Sequence, residues 1–401
     1  MGATVLFVAL YALVVREWVH RGLAALAAAT LAVVLGILSP RQALAAVNWD
    51  TLVLLFGLML LARALDEAGW FRRFGEWARR RAGTSPRRFV ILFVLLAAVL
   101  SAVLPNLAVV MVLAPPLLVA LEALGTDPIR PLVGLVTAAN FGGMATLVGD
   151  PPNVLIGTAT HFSFDAFVLA LGPPAAVAVA QGAIWAARTV PVGGEMPTPP
   201  SAPVPRDRAV LLGILALTVL GFVTAPRMGW PVGLVGLAGG VAAALLSGRR
   251  AERVLAGVDW GTLLFLGGLF VVVGGLERQG IIAWLAARVG SYARDGAFVP
   301  LVLGGTAVVS ALLDNVPLVA AAIPMLARSA AGPAVWWALA AGAAIGGNAT
   351  LIGSSANLVA ASLAAERGLA LDFPTFWRQA RGISTTALVL TGLWLWATQG
   401  G

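Results

Sequence analysis

Hydrophobic residues run in long stretches along this chain, and short polar stretches interrupt them at a few places. The apolar windows predict helices over 3–15, 22–38, 51–65, 89–104, 107–123, 131–148, 153–160, 164–187, 209–224, 231–246, 260–275, 298–313, 316–327, 334–352, 356–365 and 376–398. A membrane span takes about 20 apolar residues. The pieces flanking Pro105-Asn106, 149–152, Asp314-Asn315 and 353–355 are too short to cross alone. Those around Asn106 and Asn315 read as two re-entrant hairpins, and those around Asp150 and Ser354 as two broken spanning helices. The segment 66–88 is different: seven Arg alternate with Trp70, Phe71, Phe74 and Trp77 at helical spacing. It reads as an amphipathic helix lying in the headgroups on the cytoplasmic side. The Pro-rich segment 191–207 reads as a linker between two halves.

The two broken helices carry one motif. Positions 142–153 read GGMATLVGDPPN and positions 346–357 read GGNATLIGSSAN. Thr146 aligns with Thr350, Gly149 with Gly353 and Asn153 with Asn357. The likeness extends outward, VNWDTL at 47–52 to VDWGTL at 258–263 and SAVLPN at 101–106 to SALLDN at 310–315. The predicted architecture is all-α and polytopic. It comprises scaffold spans over 1–46, a first repeat over 47–190, the linker over 191–207, further scaffold spans over 208–257 and a second repeat over 258–401.

Arginine placement orients the repeats. With 66–88 inside, Arg16, Arg21, Arg188, Arg206, Arg208, Arg249, Arg250, Arg253, Arg367, Arg378 and Arg381 also fall inside. Arg41, Arg227, Arg278, Arg288, Arg294 and Arg328 fall outside. That bias follows the positive-inside rule and gives the two repeats opposite topology, the layout of secondary transporters.

A helix broken at mid-membrane turns free backbone N–H groups toward a cavity, where they suit an anion or a polar neutral solute. Asn and Thr add uncharged donors and acceptors. The candidate substrate-binding residues are Asn106, Asn140, Thr146, Asn153, Asn315, Asn348, Thr350, Ser354 and Asn357. Each can also serve locally, as a cap of a broken helix. Asp314 and Asp150 are the candidate proton-coupling residues, because a carboxylate at that depth is costly to insert. The local alternative for Asp150 is to cap the half-helix that begins at Pro151-Pro152. No Arg adjoins either tip in the sequence, which argues against a tightly held dicarboxylate. His161 reads as interfacial.

Composition narrows the chemistry. The chain has 60% hydrophobic and 11% charged residues, against about 25% charged in a soluble domain. The first apolar run lacks a basic flank and reads as a span, not a cleavable signal. With Cys 0 and His 2, disulfides, thiolate sites and a His-rich metal cage are excluded. The net charge of +8 is all Arg on the basic side and reads as topology, not nucleic-acid binding. The GG…G spacing lacks the Lys and the strand of a phosphate loop. No nucleophile–base pair stands out, so an enzyme is the least favoured class.

The stretch NFGGMATLVGDPPN at 140–153, with SALLDNVP at 310–317 and the motif at 346–357, resembles the ion transporter superfamily. That group holds ArsB-type arsenite pumps, NhaD-type antiporters, citrate–metal carriers and the melanosomal P protein. The resemblance implies a multi-pass protein of the bacterial inner membrane. It implies a homodimer whose mobile part carries solute by an elevator motion, with the tips at Asn106 and Asn315 and with Thr146 and Thr350 lining the site. Sodium-coupled dicarboxylate relatives have Ser where Pro105 and Asp314 stand, so the resemblance favours protons over sodium as coupling ion, with no cofactor. GDPPN is nearer the ArsB-like and P-protein branch. The favoured expectation is therefore proton-coupled efflux of arsenite or antimonite; a sodium/proton antiporter and a carboxylate or other anion carrier are the alternatives. Whether a soluble ATPase subunit joins it is open.

Overall fold

The computed structural model describes residues 2–15, 19–193, 209–290, 298–328 and 332–399. Most of the expected linker, together with Arg16, Arg206, Arg208 and Arg294 of the charge count, lies outside these residues.

Among the described residues all regular structure is helical, and the helices follow one another in two similar successions. The first runs α1 (Gly2–Val15), α2 (Arg21–Val34), α3 (Pro40–Ala46), α4 (Trp49–Glu67), α5 (Trp70–Ala82), α6 (Pro86–Ser101), α7 (Asn106–Ala123), α8 (Ile129–Met144), α9 (Pro151–Thr160) and α10 (Phe164–Ala187). The second runs α11 (Ala209–Met228), α12 (Val232–Leu246), α13 (Ala251–Ala256), α14 (Trp260–Arg278), α15 (Ile281–Gly290), α16 (Phe298–Leu312), α17 (Asn315–Arg328), α18 (Pro333–Ala349), α19 (Ser355–Ala365) and α20 (Phe373–Gln399).

Local chemistry repeats with the order. Asn48 caps α4 by accepting from the Thr51 backbone N–H, and Asp259 caps α14 by accepting from that of Thr262. Both helices then end at a left-handed glycine, Gly69 at φ 79° and Gly280 at φ 75°, a conformation that glycine adopts without steric cost. The breaks fall where the polar interruptions stand, between α6 and α7, α8 and α9, α16 and α17, and α18 and α19. The basic segment is helical over Trp70–Ala82, a shorter element than 66–88, and buries Trp70, Phe71, Ala78 and Ala82. The hydrophobic pattern missed the short helices α3 and α13, which carry too few residues to show a period.

The two halves are not separate bodies. Helix α2 packs on α14, and α12 packs on α4. Small residues let these backbones touch. A Cβ on Gly57 would stand 2.2 Å from the Gly236 carbonyl oxygen, and one on Gly240 would stand 2.2 Å from that of Gly57. Gly57→Val therefore forces α4 off α12. It is expected to cost about 3 kcal/mol or more and to remove the monodisperse peak in detergent chromatography. Gly213→Ala, facing open space, is expected to leave that peak unchanged.

By length and composition, α7, α10 and α14 can each cross a bilayer, and α3 with α4 makes a fourth span bent by 56°. Helix α7, read from the sequence as half of a hairpin, is thus long enough to span. Seven further apolar helices are shorter. Bulky apolar side chains stand exposed along the long and the short helices alike, such as Leu169 (71%) on α10, Leu217 (68%) on α11 and Leu245 (73%) on α12. A face of that kind belongs against lipid.

Candidate functional site

Each break is closed by its own side chains. Where α8 ends, its last carbonyls have no helical partner. The Asn153 side-chain amide donates to the carbonyls of Gly143, Met144 and Thr146 at 2.8–3.2 Å. Asn357 donates in the same way to Gly347 and Thr350. The two Thr hydroxyls reach sideways, Thr146 to the carbonyl of Ala102 and Thr350 to that of Ala311. Each ties its break to the adjoining hairpin. Glycines make the fit possible: a Cβ on Gly142 would stand 2.1 Å from the Ala98 oxygen, and one on Gly346 would stand 2.2 Å from that of Ala307.

The tips meet over a buried carboxylate. Asp150 is 2% exposed, and its side chain makes no cap on α9. Its Oδ1 instead accepts from Asn106 Nδ2 at 3.4 Å and its Oδ2 from Asn315 Nδ2 at 3.3 Å. Asn140, buried on α8, is the hub behind it. Its oxygen accepts from Asn106 at 2.8 Å and from the Ser354 hydroxyl at 3.4 Å. Its amide donates to Asn348 at 2.8 Å and to Asn357 at 3.0 Å. Both breaks and both tips therefore share one hydrogen-bonded network. Asn140→Leu removes bonds to four partners and leaves the amide oxygens of Asn348 and Asn357 without the donor they use here. A stranded buried polar group costs about 1–3 kcal/mol. We expect the melting temperature in detergent to fall by about 5 °C or more.

A cavity of about 420 Å³ opens against this network, and Asn106, Asp150, Asp314, Asn315 and Ser354 line it. Asn140 and Asn348 stand behind those residues. Thr146, Thr350, Asn153 and Asn357 hold the breaks and are not part of the lining.

The structure corrects one expectation outright: arginines do stand at the tips. Arg21 and Arg63 both line the cavity. Arg21 Nη1 donates to the Ser355 hydroxyl at 2.7 Å and lies 3.8 Å from an Asp314 oxygen. Its Nη2 donates to Thr262 Oγ1 at 2.7 Å and to Asp259 at 3.3 Å. Arg63 is occupied by Asp66 at 3.5 Å and by the Gly257 carbonyl. The sequence offered little signal for Arg21, Asp259, Thr262 or Ser355. Arg21 sits at a helix start among charges that orient the chain, 238 residues from Asp259. Asp259 and Thr262 read as a simple helix cap.

The cavity thus offers amide donors, hydroxyls, two guanidinium groups and the carboxylates Asp150, Asp259 and Asp314. This set can hold an oxygen-rich small solute and can take up protons. Among the described residues no cluster of three His, Cys, Asp or Glu side chains suits a metal ion. His161 stands with Asp50, Asn48 and Trp230 around a separate cavity.

Comparison with known proteins follows this geometry. Residues 11–342 match the family model CitMHS, described as citrate transporter. An uncharacterized transporter of Mycobacterium tuberculosis is 33% identical, over 98% of this chain and 97% of its own length. An uncharacterized transporter of Synechocystis is 28% identical over the same shares. The human P protein is 29% identical, over 94% of this chain and 57% of its own. Among solved structures, the crystal structure of the YdaH transporter of Alcanivorax borkumensis superposes with a TM-score of 0.59, at 17% identity, over 88% of this chain and 86% of that one; this likeness concerns the fold alone.

Proposed function

The chain belongs to the CitMHS citrate transporter family, and we propose that this membrane transporter is a proton-coupled secondary carrier of a small, oxygen-rich anion. The observation that carries the reading is Asp150, buried where the two tips meet and bonded to an amide of each. A group so placed feels every change in how the tips sit. With Asp150, Asp259 and Asp314 ionised, the carboxylates outnumber Arg21 and Arg63, and a bare anion is repelled. Protonating Asp150 and Asp314 leaves Arg21 and Arg63 matched by Asp259 and Asp66 alone, and the repulsion is lifted. An anion then enters together with protons, and electrostatics alone links the two.

Supporting the inverted-repeat reading, α2 of one half packs on α14 of the other and α12 packs on α4. A two-fold axis in the membrane plane produces such an exchange. We read the Arg-rich side as the cytoplasmic one; Arg21 at the start of α2 and Arg63 near the end of α4 border the cavity. We take the carrier to be a homodimer of the bacterial inner membrane that works by an elevator motion.

Arsenite or antimonite is the second reading. The donors nearest Asp150 are uncharged amides, Asn106 and Asn315, which suit a neutral trihydroxide. Counterflow in proteoliposomes with citrate, phosphate, arsenite and sodium, at several pH values, separates the readings. Citrate or phosphate exchange that rises with acidity supports the first, arsenite exchange alone the second. Sodium-dependent proton flux alone would favour a sodium/proton antiporter and overturn both.

A further inference from the structure

We propose that Arg21 selects the charge of the solute: it holds Asp314 and Ser355 when the cavity is empty and transfers to a carboxylate or oxyanion when one arrives. The inference rests on reading the cavity as the transport site and names the charge class that site takes.

Position comes first. A second cavity of about 400 Å³ lies behind the first, and Arg21, Leu107, Asp314 and Ser355 line both. Arg21 and its partners are therefore the wall between two spaces large enough for a small solute. The guanidinium also joins parts that are far apart in the chain. It starts α2, and it bonds Asp259 and Thr262 at the start of α14 and Ser355 at the start of α19.

The fold does not require this charge. Helix α12 occupies in the second half the place of α2 in the first. A Cβ on Gly22 would meet the Gly261 carbonyl of α14, and one on Gly233 would meet the Asp50 side chain and carbonyl of α4. With Gly22 aligned on Gly233, Arg21 aligns on Val232. The Val232 side needs no cation, because Asn48 and Thr51 bond Thr158 directly at 3.0 Å. The arginine occurs only on the side that holds the site.

Arg21 is also incompletely served. Its Nη2 is held by the Asp259 carboxylate at 3.3 Å and the Thr262 hydroxyl at 2.7 Å. Its Nη1 has a neutral hydroxyl, Ser355 at 2.7 Å, and reaches the Asp314 carboxylate only at 3.8 Å, longer than a hydrogen bond. A carboxylate or phosphate oxygen pair gives the planar fork two parallel charge-assisted bonds. The groups facing Asp314 are Arg21 of α2, Asp150 of the first break, Ser355 of α19, Tyr11 of α1 and the backbone N–H of Val316. Arg21 is the cation among them. When a proton goes onto Asp314, its hold on Arg21 is lost, and the Nη1 end of the guanidinium is free for the anion while Asp259 still anchors Nη2. One proton and one negative charge then enter together.

The test uses the full chain in proteoliposomes, as wild type, Arg21→Gln and Arg21→Lys, with counterflow of labelled citrate, phosphate and arsenite across pH. We expect Arg21→Gln to raise KM for the transported anion by about 30-fold, with a smaller change in kcat. Arg21→Lys should fall between, and arsenite exchange should not change. Arg21→Gln paired with Asp314→Asn removes the more buried of the two carboxylates that lose Arg21 and serves if the single variant misfolds; its anion KM should stay raised. An unchanged anion KM in folded Arg21→Gln overturns the assignment, as does an equal loss for anion and arsenite. Anion transport absent from the wild type would instead sink the reading of the cavity, and this inference with it.

Discussion

A transporter carrying Asp150→Asn is expected to reach the membrane in normal amount and to concentrate no solute. Asp150 accepts one amide hydrogen on each carboxylate oxygen, from Asn106 and from Asn315. Asparagine keeps the size but can accept on only one side. Its own NH2 then faces the NH2 of a tip, and the two donors repel. A hydrogen bond to a charged group is worth about 1.5–3 kcal/mol. Losing one should slow exchange by roughly 10- to 100-fold, at about 1.4 kcal/mol per factor of ten. Coupling should fail altogether, because the amide takes up no proton in this range. The measurement is uptake driven by an imposed pH gradient, beside counterflow without one. Gradient-driven uptake at the wild-type rate would remove Asp150 from the mechanism. Asp150→Glu keeps the proton and shifts it by one methylene, so partial recovery of driven uptake is the matching expectation.

The residues that make this site were unevenly legible. The doubled motif gave away both breaks, because three polar or acidic groups in the first copy and five polar groups in the second have no place against lipid inside an apolar run. Asn106, Asp150 and Asn315 stood out for the same reason, and the structure brings them together. The division of labour among the rest was not legible. Thr146, Thr350, Asn153 and Asn357 carry the same chemistry as the cavity residues, yet they spend it on the backbone of the breaks. Only the path of the chain decides which way an amide turns. Arg21 was harder still, since a basic residue at the start of an apolar helix is the ordinary mark of topology. Its partners lie more than two hundred residues away. The cross-half packing of α2 on α14 rests on glycine and alanine spacing, which looks alike for any close helix pair.

The largest motion we expect can be read from a mismatch between the halves. At the start of α4, Asn48 and Thr51 bond Thr158, well into α9. At the start of α14, the aligned Asp259 and Thr262 reach α19 only at its first residue, Ser355, and only through Arg21. In the motif alignment Ser355 matches Pro151 and Thr158 matches Ser362. Thr158 lies seven positions beyond Pro151, about 10 Å along a helix at about 1.5 Å per residue. If the opposite state exchanges the two arrangements, α9 and α19 slide past α4 and α14 by that distance, carrying the tips. Thr262 then meets Ser362, which is exposed here, and Thr51 leaves Thr158. The chain has no cysteine of its own, so paired substitutions report cleanly. Thr51→Cys with Thr158→Cys places two sulfurs where hydroxyls stand 3.0 Å apart, close enough for a disulfide after small adjustment. Oxidation should join them quickly and stop transport, and reduction should restore it. Thr262→Cys with Ser362→Cys should join slowly, at a rate that rises when solute is present, because only the exchanged state brings them together. Rapid joining of the first pair with no loss of transport would mean that this contact persists through the cycle, and the moving part would have to be sought elsewhere.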